Sequence, residues 1–168
     1  KEWQDLLARG VRVDIPDPAV RDAFYSGLGD LFIMREPLAG GYMGGVPGTE
    51  GYRSAAPFEP ALAAIALDQT GFHAEAADGM RVHLDMQEPT GEWADPKGWG
   101  HHMWGASGMK AWAAMEHFRL TGERAYLAAA FPRMAASSRW QEIQRRKTRV
   151  LEQGKRPFTY GLMPRGMG

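Results

Sequence analysis

The spacing of apolar residues predicts helices along most of the chain. Asp17 is a favourable N-cap residue, Pro18 follows it at the first helical position, and apolar residues then recur at helical intervals. This pattern predicts an amphipathic helix over residues 18–34. Residues 1–16 are predicted as a lead-in segment that contains a strand-like stretch at 11–15.

The pattern also contains a repeat of about 50 residues. The stretches 57–70 and 105–120 are apolar on nearly every face, which predicts buried inner helices, and each ends at a Thr-Gly pair. The segments that follow them, 73–87 and the residues after Gly122, combine an apolar stripe with a polar face and are predicted as outer helices. Pro132 should kink or restart the second outer helix. Residue 17 onward is therefore predicted to be an array of helical hairpins.

Three long loops separate these helices, at residues 35–56, 88–104 and 149–168. The first contains six glycines and shows no sustained period, and loops of this length are often functional. Each loop precedes an inner-helix position, so the loops should gather where the inner helices begin. Helix N-termini carry partial positive charge and free N–H groups, which can orient the oxygens of a ligand.

Composition narrows the classes of partner. The 168 residues suffice for one domain, and 20 basic residues balance 20 acidic ones, so we expect neither nucleic acid nor an anionic membrane as a partner. No apolar run is long enough for a membrane span, and the absence of cysteine excludes disulfides and thiolate metal sites. No nucleotide-binding, metal-binding or nucleophile motif occurs, so neither a cofactor nor a metal is predicted. The chain begins without Met and stops in a loop rich in Gly and Pro, so a fragment is expected.

The loop 88–104 holds the strongest candidate for function. It contains three tryptophans and three carboxylates in 17 positions. Indole rings stack on the C–H faces of sugars, while carboxylates and imidazoles bind sugar hydroxyls. The alternative is that the tryptophans only cap the core of the hairpin. The candidate substrate-binding residues of this loop are Glu92, Trp93, Trp99, His101, His102 and Trp104.

A second group of candidates precedes the first inner helix. Glu50, Tyr52 and Arg53 are candidates to bind substrate, with Arg53 as a clamp. Glu59 lies in the first turn, where it either complements the helix N-terminus or projects a carboxylate into a cavity. Glycosidic hydrolysis ordinarily uses two carboxylates, and Glu59 and Asp95 are the candidates for catalysis.

The remaining histidines are expected to have ordinary structural roles. His73, His83 and His117 are predicted as surface or helix-packing residues. His101 and His102 are adjacent, and adjacent residues of a loop usually point apart, which argues against a shared metal.

Four stretches together resemble the bacterial glycoside hydrolases built on an (α/α)6 six-hairpin toroid. Residues 115–127 and 66–72 are similar to the outer-turn signature of that family, one hairpin apart. Residues 98–104 resemble the loop that opens the next inner helix, and 160–166 a loop that commonly borders the sugar site. The resemblance spans about residues 17–168. It implies an all-α fold, here part of an incomplete (α/α)6 toroid, with a sugar cleft at the loop-bearing end.

The resemblance also implies an activity, with one departure from the family pattern. Many relatives carry an Arg-Asp pair where this chain has Arg53-Ser54. The resemblance implies a fragment of an inverting glycoside hydrolase that cleaves a small saccharide or glycoside, with part of the catalytic machinery elsewhere. A sugar epimerase or polysaccharide lyase of toroid fold is an alternative, as is a non-catalytic carbohydrate-binding or scaffold fragment.

The length of the chain has a further consequence. Six hairpins need roughly 300 residues, following the repeat estimate, and this chain holds two clear ones. An open section of a toroid would expose apolar flanks of its inner helices. We therefore expect self-association or a complementing chain.

Overall fold

The computed structural model describes residues 1–48, 50–51, 53, 59–93 and 102–166. These residues are mostly helical, as predicted, and include one small antiparallel sheet. The elements in chain order are α1 (Glu2–Leu7), α2 (Pro18–Ile33), β1 (Arg35–Leu38), β2 (Tyr42–Gly45), α3 (Glu59–Gln69), α4 (His73–Asp85), α5 (Trp104–Thr121) and α6 (Arg124–Lys147).

The predicted start of α2 is confirmed. The Asp17 carboxylate accepts a hydrogen bond from the backbone N–H of Ala19 at 2.8 Å, and Pro18 occupies the first turn. The strand predicted at residues 11–15 is wrong, because the backbone there bonds to other elements. Val11 N–H donates to the carbonyl of Thr70 at 2.8 Å, and Val13 N–H donates to the Tyr25 hydroxyl at 3.3 Å.

The first long loop contains a β-hairpin that the sequence pattern did not predict. Strands β1 and β2 pair in antiparallel register from Arg35 opposite Gly45 to Leu38 opposite Tyr42. Gly40 and Gly41 form the turn with φ of 85° and 77°, which glycine adopts without strain. The β-hairpin packs against α4, the first outer helix.

Both predicted Thr-Gly helix ends are confirmed. Thr70 and Thr121 each turn the side-chain hydroxyl back to the carbonyl four residues earlier, at 2.7 Å in both cases. Gly71 and Gly122 follow with φ of 87° and 70°, the left-handed conformation that stops a helix. Two helical hairpins result, α3–α4 and α5–α6, each with a short turn.

The two inner helices lie side by side and run in the same direction. Asp68, near the end of α3, contacts His117, near the end of α5. Two turns earlier on α5, Lys110 donates to the carbonyl of Trp93, whose indole binds the carbonyl of His83 in the second half of α4. The short turns therefore share one end of the hairpin pair, called here the turn end, and the starts of α3 and α5 share the other, called the loop end.

The burial of the inner helices is less complete than the apolar pattern predicted. Leu62 of α3 and Trp112 of α5 are 44% and 47% exposed, because no described element covers that side of either helix. Of the kink or restart predicted at Pro132, the restart does not occur, since α6 continues through it to Lys147. None of the helices in the described residues is long and apolar enough to cross a membrane.

Candidate functional site

The candidate site at the loop end rests on a tight turn that α6 holds in place. Glu88 N–H donates to the carbonyl of Glu92, and the Gln87 amide donates to the carbonyl of Arg133 in α6 at 2.8 Å. Gly91 sits in this turn with φ of 94°. A Cβ atom at that position would lie 2.5 Å from the carbonyl oxygen of Ala136, so the turn meets the α6 backbone only through glycine.

Trp93 anchors the turn in the core and offers no face to a ligand. Its side chain is 1% exposed, and the indole N–H donates to the carbonyl of His83. Lys110, fully buried on α5, donates to the Trp93 carbonyl at 3.4 Å. The predicted stacking role of Trp93 is therefore wrong, and the alternative, a tryptophan that caps the hairpin core, describes it.

Burial sets the charge of the histidine beneath this tryptophan. Desolvation, assisted by the positive charge of Lys110, lowers the pKa of His83 to about 3. His83 is therefore neutral near neutral pH, in agreement with its predicted packing role.

The predicted residues Glu92 and His102 meet at the surface. His102 Nδ1 lies 2.6 Å from Glu92 Oε1, the separation of a charge-assisted hydrogen bond. The two side chains are 50% and 26% exposed, so a ligand can reach the pair. The carboxylate can accept hydrogen bonds from hydroxyl groups, and the imidazole can donate or accept a proton.

An aromatic stack supports this pair. The ring of His102 stacks on Trp104 with centroids 4.8 Å apart, and Trp104 packs against Trp140 of α6 at 5.4 Å. The indole N–H of Trp104 donates to the carbonyl of Pro164 at 2.9 Å. Neighbouring rings and the 148–166 segment thus hold Trp104 in place, and Trp104 in turn supports the ring of His102.

Trp140 was not among the predicted site residues. The helical period of α6 places it three residues after the buried Ser137, on the inward face of the helix. That face could have been traced from Ala130 and Met134, but the small Ser137 interrupts its apolar character.

The second group of candidates lies around β1 and the start of α3. Arg53 forms an ion pair with Glu36 of β1, a residue that was not predicted, and Glu50 is exposed. Glu59 occupies the first turn of α3, as expected. Its Oε2 atom is buried, has no hydrogen-bond partner in the described residues, and belongs to a residue that lines a cavity of about 30 Å³ beside Val46 and Pro60.

The structure does not join all of these candidates into one site. Glu59 makes no hydrogen bond to Glu92 or His102 within the described residues. Tyr52, Asp95, Trp99 and His101 lie outside the described residues. In the part of the chain that is described, no group of three or more His, Asp or Glu side chains is arranged to hold a metal ion.

Comparisons with known proteins identify no relative. No family model matches the chain, and neither the curated proteins nor the solved structures include a match. Any function assigned to the chain therefore depends on its residues and their geometry.

Proposed function

We propose that the loop end of this chain is one wall of the sugar-binding cleft of a glycoside hydrolase of (α/α)6 toroid type. The observation that carries the proposal is the exposed Glu92–His102 pair, with its 2.6 Å contact and the stacked aromatic rings that support it. The substrate class is a small saccharide or glycoside, and the proposed reaction is inverting hydrolysis.

The chemistry of the pair suits a sugar. A sugar hydroxyl both donates and accepts hydrogen bonds, and Glu92 and His102 supply an acceptor beside a group that can do either. The aromatic rings of His102 and Trp104 add apolar surface next to this polar pair, which suits the alternating C–H and O–H groups of a pyranose. The pair also lies just ahead of the N-terminus of α5, whose partial positive charge favours ligand oxygens.

The toroid part of the proposal depends on the arrangement of the hairpins. Parallel inner helices with short turns at one end and long connections at the other are what an array of such hairpins requires. The described residues include two hairpins, and the resemblance of residues 115–127 and 160–166 to the family supports the same assignment. In this proposal Asp95 or Glu59 contributes one carboxylate, and the remaining hairpins of the toroid contribute the other.

Binding of defined saccharides tests the proposal. A panel of neutral mono- and oligosaccharides is titrated against the chain by calorimetry, and Glu92→Gln and His102→Ala are compared with the parent. Loss of a hydrogen bond to a charged group should weaken binding roughly tenfold. Glu88→Gln is the matched control, because Glu88 is an exposed carboxylate in the same turn, and it should bind like the parent. The proposal fails if no saccharide binds, or if all three variants bind like the parent.

A carbohydrate-binding fragment without catalysis is the second candidate. It is favoured by the position of Glu59, which lines a small cavity beside β2 and makes no hydrogen bond to Glu92 or His102 within the described residues. Incubation with the bound saccharides separates the candidates: hydrolysis releases a new reducing end, a lyase leaves an unsaturated end that absorbs in the ultraviolet, and a binding fragment leaves the saccharide intact.

A further inference from the structure

A cluster of titratable side chains lies at the turn end, apart from the candidate sugar site. Its centre is Asp68, a buried carboxylate near the end of α3. One oxygen of Asp68 lies 2.9 Å from His73 Nδ1 of α4 and 2.9 Å from His117 Nδ1 of α5. A single aspartate therefore links three helices that belong to both hairpins.

His117 is held between two carboxylates. Nδ1 faces Asp68, and Nε2 lies 3.6 Å from Glu123 Oε2, at the residue that precedes α6. The ring also packs against Tyr126 of α6 with centroids 4.2 Å apart. The titratable groups that face His117 are thus Asp68 from α3, His73 from α4, and Glu123 and Tyr126 from the start of the second outer helix.

The protonation state of His117 decides whether both contacts are favourable. An ionised Asp68 only accepts hydrogen bonds, so Nδ1 must carry a proton. If Nε2 carries none, its lone pair faces the Glu123 carboxylate and the buried atom has no partner, as the described contacts show. If Nε2 is protonated, the imidazolium lies between two negative charges, with Nδ1 donating to Asp68 and Nε2 at 3.6 Å from the Glu123 carboxylate.

We propose that the turn end contains a proton-dependent clasp, in which protonated His117 ties Asp68 of the first hairpin to Glu123 of the second. The clasp closes when His117 is charged and opens when His117 loses its Nε2 proton. Opening leaves the Asp68 contact in place and removes the attraction to Glu123, so it loosens the start of α6 against α5.

The direction of the pH response follows from the surroundings of the ring. Burial opposes the charged form, but the hydrogen bond and negative charge of Asp68, together with the negative charge of Glu123, outweigh it and raise the pKa of His117. A raised pKa in the folded state means that the stabilisation is complete below the ordinary value of about 6.5 and disappears as pH rises through the raised value. The clasp therefore opens as pH rises above that ordinary value, through the raised pKa of His117.

Titration of the intact chain tests the clasp. The Cε1–H resonance of His117, assigned by its loss in His117→Gln, should titrate with a midpoint above 6.5 in the parent. The melting temperature should fall across the same pH range. Glu123→Gln should move the midpoint of His117 to lower pH and reduce the fall in melting temperature as pH rises. Glu123 is largely exposed, so this variant should fold even if His117→Gln does not.

Glu116→Gln is the matched control. Glu116 is a carboxylate on α5 next to His117 in sequence, and its partner is Arg119 at 2.8 Å, so its replacement should leave the His117 midpoint unchanged. Amide exchange at Leu127, whose N–H donates to the carbonyl of Glu123, should increase as the clasp opens, after correction for the intrinsic pH dependence of exchange. The proposal is overturned if His117 titrates at or below 6.5, or if Glu123→Gln leaves its midpoint where Glu116→Gln does.

Discussion

At the turn end, His117 is buried between Asp68 and Glu123; at the loop end, His83 is buried beside Lys110 and beneath Trp93. Both imidazoles are almost inaccessible to solvent, yet the pKa of one is raised and the pKa of the other is lowered to about 3. Burial disfavours the charged form in both cases, so the difference comes from the sign of the neighbouring charges.

The same contrast separates structural from ligand-accessible groups. At the turn end, the polar side chains bind one another across helices, and their contacts hold the hairpins together. At the loop end, the buried layer of His83, Trp93 and Lys110 carries an exposed layer, Glu92 and His102. A ligand site is expected where polar groups remain accessible above a fixed layer, which is the arrangement of the loop end.

The variant with the largest expected effect is Trp93→Ala, which tests whether Trp93 belongs to the buried layer of the loop end. Because Trp93 fills the core at the loop end, its truncation should lower the free energy of unfolding by about 3–5 kcal/mol. Chemical denaturation of the two proteins under identical conditions measures the difference.

Trp112→Ala controls for the loss of a tryptophan as such. Trp112 is 47% exposed on α5, and its truncation should cost about 1 kcal/mol or less. Equal losses in the two variants would contradict the assignment of Trp93 to the core.

The helices could be predicted because their signals are local. The N-cap at Asp17 and the stops at Thr70-Gly71 and Thr121-Gly122 each depend on a few adjacent residues, and the structure confirms them. The β-hairpin at 35–45 was missed because glycine and proline occupy several of its strand positions, where strand formers are expected. Its pairing and its packing against α4 depend on residues distant in the sequence.

The site could be predicted only in part, because its contacts also join residues that are distant in the sequence. The sequence identified Glu92 and His102 as polar candidates but contained no signal for their mutual contact, because ten residues separate them. It also grouped Trp93 with the ligand-facing tryptophans, since a composition-based argument cannot tell an inward indole from an outward one. The Asp68–His117 contact was missed because it joins residues 49 positions apart on two different hairpins.

Replacing a glycine with alanine at either end should lower the stability by less than Trp93→Ala does. Gly91→Ala at the loop end combines an unfavourable φ of 94° with a Cβ placed 2.5 Å from the carbonyl of Ala136, and should cost about 2–4 kcal/mol. Gly122→Ala at the turn end has a similar φ of 70° but open space around the Cβ, so its cost should be limited to about 1–2 kcal/mol. Denaturant midpoints of both variants check the order, and a reversed order would show that α6 does not hold the 88–92 turn in this way.

The smallest effect concerns the charge of His83. The lowered pKa of His83 means that, below pH 6.5, the unfolded state binds a proton that the folded state does not, so stability falls as pH decreases towards about 3. At pH 5.5 this residue should lower the free energy of unfolding by about 1.4 kcal/mol relative to pH 8. In the unfolded state at pH 5.5, protonated histidine outnumbers neutral histidine about tenfold. His83→Met should remove that part of the acid sensitivity, whereas Leu84→Met, a neighbouring buried position on α4, should retain it. The free energies of unfolding at the two pH values are the measurement. If His83→Met loses as much stability on acidification as Leu84→Met, then His83 is protonated in the folded chain. In that case the two buried histidines do not differ in charge as their neighbours indicate.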